Sequence, residues 1–230
     1  MRQQTGRFRR LSLASARSPT ETNVHQLRVS VRRLRSILWL LRKDESFSPA
    51  LDRSLRALGK ALGSQRELDV AIQDAAKLHL SAPKLHRSQS SHQRSVRNRL
   101  RNRNDLLAKL AVFSRRLKQR QEVKAKAQLS ALLATARKWR SKKLRGSAQL
   151  HRFRIKTKRL RYVLEAFGQN TKPLRELQDN LGRAHDLEVL GTLVGKKKVI
   201  VKKEKKNERR AKRLAGPALR LAAKELTSLQ

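Results

Sequence analysis

One stretch of this chain occurs twice. Residues 24–38 read VHQLRVSVRRLRSIL and residues 150–164 read LHRFRIKTKRLRYVL. His25, Arg28, Arg32, Arg33, Leu34 and Arg35 fall at a constant offset from His151, Arg154, Lys158, Arg159, Leu160 and Arg161. A second match follows each copy, LGSQRELDV at 62–70 and LGRAHDLEV at 181–189. Repetition of this length is not compositional accident, so the fold must be built from two related halves. Each half opens on a basic segment and continues into a Leu-Gly element with an acidic pair.

The repeated segment has the period of a helix. With His25 at zero and a step of about 100° per residue, Arg28, Arg32 and Arg35 fall at about 300°, 340° and 280°. Leu27, Val31, Leu34 and Leu38 fall between about 180° and 240°. An apolar stripe therefore runs beside a narrow basic one, and His151, Arg154, Lys158 and Arg161 repeat the pattern. Successive cations stand one turn apart, about 5 Å. Like charges at that spacing destabilise an isolated helix, so the stripe calls for an external partner or else is a solvated face. Guanidinium groups in such a row can hold successive phosphates bidentately. Two such helices facing each other would form a basic groove. Arg33 and Arg159 lie off the stripe, at about 80°, and are secondary candidates or plain surface residues.

Charge decides the class of partner. There are 58 Lys and Arg against 17 Asp and Glu, a formal net charge of +41. Self-repulsion of that size opposes compaction and favours a polyanion: nucleic acid, an anionic membrane or polyphosphate. No apolar run approaches the roughly 18 residues of a membrane span. Aromatic residues are only 3% of the chain, which weakens single-strand nucleic-acid binding by base stacking. No cysteine is present, so disulfides and thiolate metal sites are excluded.

Long stretches rich in Ala, Leu, Arg, Lys and Gln make the expected fold class all-α. Helices are expected at about 22–42, 50–62, 64–80, 92–119, 122–140, 147–167, 173–181, 184–194, 197–214 and 217–229. Residues 81–91 read as a polar linker, and KVIVKK at 198–203 as helical by context. Residues 1–20 are basic and Ser-rich without a secretory apolar core, and read as a ragged N-terminal arm. The remainder, 21–230, reads as a domain with halves of about 21–120 and 121–230.

No catalytic residue, metal ligand or cofactor site emerges. His25, His79, His86, His92, His151 and His185 form no helical zinc pair with a nearby carboxylate. No nucleophile–base pattern or Gly-rich phosphate loop appears. His25 and His151 begin each stripe. Surrounding arginines should keep them neutral, and a neutral ring can still donate an N–H to phosphate; capping or packing at the helix start is the alternative. Glu67, Asp69, Asp186 and Glu188 either pair with basic side chains or serve the helix dipole. Further basic zones are the ladder Arg94, Arg97, Arg101 and the run 196–213, with Lys202 and Arg209; Arg66 is another candidate contact.

VHQLRVSVRRLR (24–35), RELDV (66–70), LHRFRIKTKRLRYVLE (150–165) and LQDNLGRAHDLEVL (177–190) together resemble the CHAD family, the conserved histidine α-helical domain. The resemblance covers about residues 20–215; Glu67 stands where the family usually shows Asp. It implies two helical bundles related by pseudo-two-fold symmetry around a basic central cavity. It implies binding of inorganic polyphosphate and a cytoplasmic place at polyphosphate granules. On matching positions it gives the binding role to His25, Arg28, Arg32, Arg35, His151, Arg154, Lys158 and Arg161. The metal chelation once suspected for the family finds no independent support in these residues. No E-x-E-x-K strand of a fused triphosphate tunnel enzyme is found, so the chain resembles the stand-alone module.

The sequence thus points to non-enzymatic binding of polyphosphate or another polyanion. A general nucleic-acid-binding basic protein is the alternative, though no recognised DNA- or RNA-binding motif appears. An enzyme acting on phosphate chains would need converging metal-binding carboxylates, which the sequence does not offer.

Overall fold

The computed structural model describes residues 2–42, 44, 47–118, 126–140 and 146–229, and every regular element among them is helical. In chain order these are α1 (Arg2–Arg17), α2 (Glu21–Leu40), α3 (Pro49–Lys77), α4 (Pro83–Arg101), α5 (Arg103–Lys118), α6 (Lys126–Arg140), α7 (Gly146–Ala166), α8 (Lys172–Val194) and α9 (Lys198–Thr227). They fall into two compact units, residues 1–125 and 126–230.

In the first unit α2 packs on α1 and α3, and α4 packs on α3 and α1. The apolar stripe expected on α2 is its buried face: Val24, Leu27, Val31, Leu34 and Leu38 are all at most 1% exposed. Leu51, Leu55, Leu58 and Leu62 of α3 and Val96 and Leu100 of α4 complete this core. The starts are fixed by local chemistry. Thr20 Oγ1 accepts from Asn23 N at 3.3 Å and Ser48 Oγ accepts from Leu51 N at 3.3 Å, with Pro49 in the first turn of α3.

In the second unit α8 packs along α9, with α6 on α9 and α7 on α8. Phe153, Leu160, Val163 and Leu164 form the buried face of α7. The Phe153 ring lies 5.3 Å from that of Trp139 on α6. Gln178 on α8 donates to the carbonyl of Thr157 at 2.7 Å, a buried tie between α7 and α8. Gly168, at φ 72°, closes α7, with Gln169 N reaching back to Leu164 O at 3.0 Å.

Several expected breaks are absent. Residues 50–62 and 64–80 are one helix, α3, which runs through buried Gly63. Segments 173–181 and 184–194 join as α8, and 197–214 and 217–229 join as α9 across Pro217. Glycine or proline inside a helix costs about 1 or 3 kcal/mol, and continuous buried faces offset it. In α9 that face is Ala211, Ala215, Ala218, Leu219, Ala222 and Leu226. The expected linker 81–91 is mostly helical, because Pro83 starts α4 instead of ending a helix. The expected helix at 92–119 breaks at Asn102; its end at 119 and the next start at 122 lie outside the described residues. KVIVKK is helical, with Ile200 buried. The segment read as a ragged arm is helix α1, which packs on α2 and buries Phe8 completely.

Candidate anion-binding faces

The α2 stripe stands on the flank of the buried face. His25 is exposed, while Arg28, Arg32 and Arg35 are half-buried. Neighbouring α3 supplies carboxylates that aim two of the arginines. Arg28 Nη2 lies 3.7 Å from Glu67 Oε1, and Arg35 Nε donates to Asp52 Oδ1 at 3.2 Å. Arg56 holds the other oxygen of Asp52 at 3.0 Å. Arg66 of α3 reaches back to Glu21 at the start of α2, and Gln73 donates to the same carboxylate. Arg32, between Arg28 and Arg35, has no ion-pair partner among the described residues.

These cations converge on His25. Although His25 keeps much of its surface in solvent, partial desolvation first, and then the guanidinium groups of Arg66, Arg28 and Arg32, hold its imidazole below the ordinary range, with Glu21 opposing. The neutral ring expected from the sequence is therefore favoured. Asp69, by contrast, does not pair with a base. It is buried and accepts from Gln65 Nε2 at 2.7 Å and from Gln89 Nε2 at 3.3 Å, tying α4 to α3. Burial pushes its carboxyl upward against those hydrogen bonds.

The α7 stripe repeats the placement with a different surround. His151 is exposed, and Arg154, Lys158 and Arg161 are half-buried. Arg161 pairs with Glu165 at 3.4 Å on its own helix and lies over the Tyr162 ring at 4.6 Å. The ring of His151 is 5.6 Å from that of His185, which occupies the place of Arg66 in the repeat. His185 Nδ1 lies 3.5 Å from Glu188. His151, Arg154, His185 and Glu188 share a cleft with Glu204 and Glu208 of α9. Burial, then Glu208 and Glu188, raises the Glu204 carboxyl. Among the described residues no group of three or more His, Asp or Glu is arranged to hold a metal ion.

The family pattern for the CHAD domain matches residues 1–195, which includes both stripes. The chain belongs to the CHAD domain family. Its fold is similar to the crystal structure of the CHAD domain from the plant Ricinus communis, with a TM-score of 0.66 at 24% identity over 94% of this chain and 81% of that one. No curated protein sequence matches. No helix among the described residues of this CHAD domain is long and apolar enough to cross a membrane.

The secondary candidates scatter over the CHAD domain. Arg66 joins the α2 site through Glu21 and His25. Arg94, Arg97 and Arg101 stand on the exposed side of α4, whose Leu85, Val96 and Leu100 are buried. Lys202 and Arg209 are exposed on α9, and half-buried Arg159 lies off the α7 stripe. Arg33 faces a groove against α1 together with Arg7 and Arg10. Sequence reasoning missed Glu204 and Glu208 as neighbours of His151. Their signal was an i,i+4 pair of acids inside an otherwise basic run.

Proposed function

We propose that this CHAD domain binds inorganic polyphosphate, without chemical turnover, through the stripes of α2 and α7. His25, Arg28, Arg32, Arg35, His151, Arg154, Lys158 and Arg161 are the contacting residues in this reading. One observation carries it. On α2, cations one turn apart are anchored along a rigid helix flank, with Arg28 and Arg35 aimed by carboxylates of α3 and Arg32 left as the uncompensated charge between them. Such preorganisation lowers the side-chain entropy lost when an extended phosphate chain is bound. It suits a ligand with many equivalent phosphates and no bases to stack. The general association of CHAD domains with polyphosphate supports the same ligand, and residence at polyphosphate granules would follow from it.

Acids near the α2 stripe support binding over catalysis. Glu21, Asp52 and Glu67 are each engaged with an arginine, and so do not converge as metal ligands for phosphate transfer. The test is titration with long-chain polyphosphate, duplex DNA and heparin at moderate salt. Arg28→Ala with Arg154→Ala should abolish preferential polyphosphate binding while helix content stays unchanged. Equal affinity for all three polyanions would replace this reading with general electrostatic binding, including that of nucleic acid.

A further inference from the structure

The cleft beside His151 mixes groups of opposite charge. Its polar walls are His151 and Arg154 of α7, His185 and Glu188 of α8, and Glu204 and Glu208 of α9. Its volume is about 20 Å³, room for one water-sized group. A wider groove of about 760 Å³ between α7 and α8 shares His151, His185 and Glu188 with it. A narrow slot therefore adjoins a space large enough for a phosphate group.

The first half differs at the matching places. His185 stands where that half has Arg66, and Glu188 where it has Asp69. Asp69 is buried and held by two amides, whereas half-exposed Glu188 lines the cleft. On α9, Glu208 lies 3.9 Å from Lys212. Glu204 has no hydrogen-bond or ion-pair partner among the described residues. Burial, with Glu208 and Glu188, favours its protonated form, and Lys196 and Lys205 oppose this.

Phosphate chemistry tells the parts of a chain apart. An interior phosphate carries one strongly acidic oxygen and offers acceptors only, so a carboxylate repels it. A terminal phosphate keeps a second ionisation near about pH 6 and carries a hydroxyl until it is lost. That hydroxyl donates to a carboxylate, while its other oxygens accept from imidazole and guanidinium N–H groups. A site for a chain end therefore needs acceptors and donors within the width of one phosphate, and this cleft holds both.

We propose that this cleft recognises the end of a phosphate chain: the terminal hydroxyl enters the slot against Glu204 and Glu208, and the remaining oxygens of that phosphate lie in the groove at His151, Arg154 and His185. The inference rests on the polyphosphate reading of the stripes and names the part of the chain that the α7 stripe meets first. Lys158 and Arg161, one turn apart beyond Arg154, then lead the chain away from its end. The α2 stripe, whose neighbouring acids are tied to Arg28, Arg35 and Arg66, suits interior phosphates.

The probe is a short linear polyphosphate, either with free ends or with both ends capped as dialkyl phosphoramidates, which carry neither hydroxyl nor N–H. Each is titrated into the full chain by calorimetry at about pH 6 and about pH 8. A chelator is present, so no divalent ion bridges phosphate and carboxylate. Free ends should bind about tenfold more tightly than capped ends at the lower pH, the worth of one charge-assisted hydrogen bond. The preference should shrink at the higher pH, where the terminal hydroxyl has ionised. His151, His185, Glu188, Arg154, Lys196, Lys205 and Lys212 act on both ligands, so the capped chain controls for their charge.

Glu204→Ala with Glu208→Ala keeps good helix formers on α9. It should erase the preference while capped chains bind at least as tightly, because two repelling carboxylates are gone. In phosphorus NMR the terminal resonance should broaden before the interior ones with the parent protein and not with the variant. Equal affinity of the parent protein for free and capped chains overturns end recognition and leaves the polyphosphate reading of the stripes standing. A preference that survives in the variant also overturns it, by placing the chain end elsewhere. Failure to bind either chain overturns the stripe reading and this one together.

Discussion

A Cβ placed on Gly63 would stand 3.7 Å from Nη2 of Arg28. The glycine is buried in mid-helix on α3, where its backbone freedom costs stability relative to alanine. An alanine fits, because 3.7 Å is ordinary van der Waals contact. Gly63→Ala should therefore raise stability by up to about 1 kcal/mol, read as a higher melting temperature, with polyanion affinity unchanged. A longer side chain has to displace the guanidinium. Gly63→Gln should lower polyphosphate affinity while the protein stays folded, and unaltered affinity would show that the position of Arg28 does not matter.

The low imidazole range of His25 gives a proton linkage of defined sign. Without ligand the fold favours the neutral ring, so the stability contributed by His25 is complete above its ordinary value of 6.5 and shrinks as pH falls below it. A bound polyanion cancels the field of Arg66, Arg28 and Arg32 and lets the ring accept a proton. Binding should then take up a fraction of a proton and tighten as pH drops below 6.5. Calorimetry in buffers of different ionisation enthalpy measures this uptake, and His25→Gln should reduce it.

Phe8 is fully buried on α1. Phe8→Ala should cost about 3–5 kcal/mol, measured by urea unfolding, and should expose α1 to proteolysis. A merely adherent N-terminal arm would tolerate the same change with little loss.

Asp69 receives two amide hydrogen bonds in a buried place. Removing the acceptor in Asp69→Ala leaves the Gln65 and Gln89 amides without it and should cost about 1–3 kcal/mol. Because burial raises the folded carboxyl value, the stabilising form is the protonated one. Its contribution is full in acid and lost as pH rises through the folded value. Asp69→Asn should therefore match or exceed the parent protein in melting temperature at neutral pH, with the advantage disappearing in acid.

Periodicity made α2 and α7 legible before any coordinates. Leu27, Val31 and Leu34 had to share a face, and Arg28, Arg32 and Arg35 had to flank it. What escaped was set by tertiary contact. Asp52 meets Arg35 across 17 positions of sequence, and Glu21 meets Arg66 across 45, so no local pattern announces either pair. Gly63, Gly182 and Pro217 looked like helix ends because their intrinsic cost is visible in sequence, whereas the buried faces that outweigh it are not. Residues 2–17 looked irregular for a similar reason: Phe8, Ser12 and Ser15 mark a buried stripe only once α2 is there to cover it.

The carboxylates beside Arg28, Arg35 and Arg66 act as tethered counter-ions. Mobile salt has little reason to condense on a guanidinium already matched by Glu67, Asp52 or Glu21. When an incoming anion engages such a group it displaces an attached oxygen, and few ions are returned to solution. The salt sensitivity of binding, which counts the ions released, would then report chiefly on Arg32 and the exposed bases of α4 and α9. The residues that orient the ligand and those that make its capture depend on ionic strength would be different sets, and each could be altered without the other.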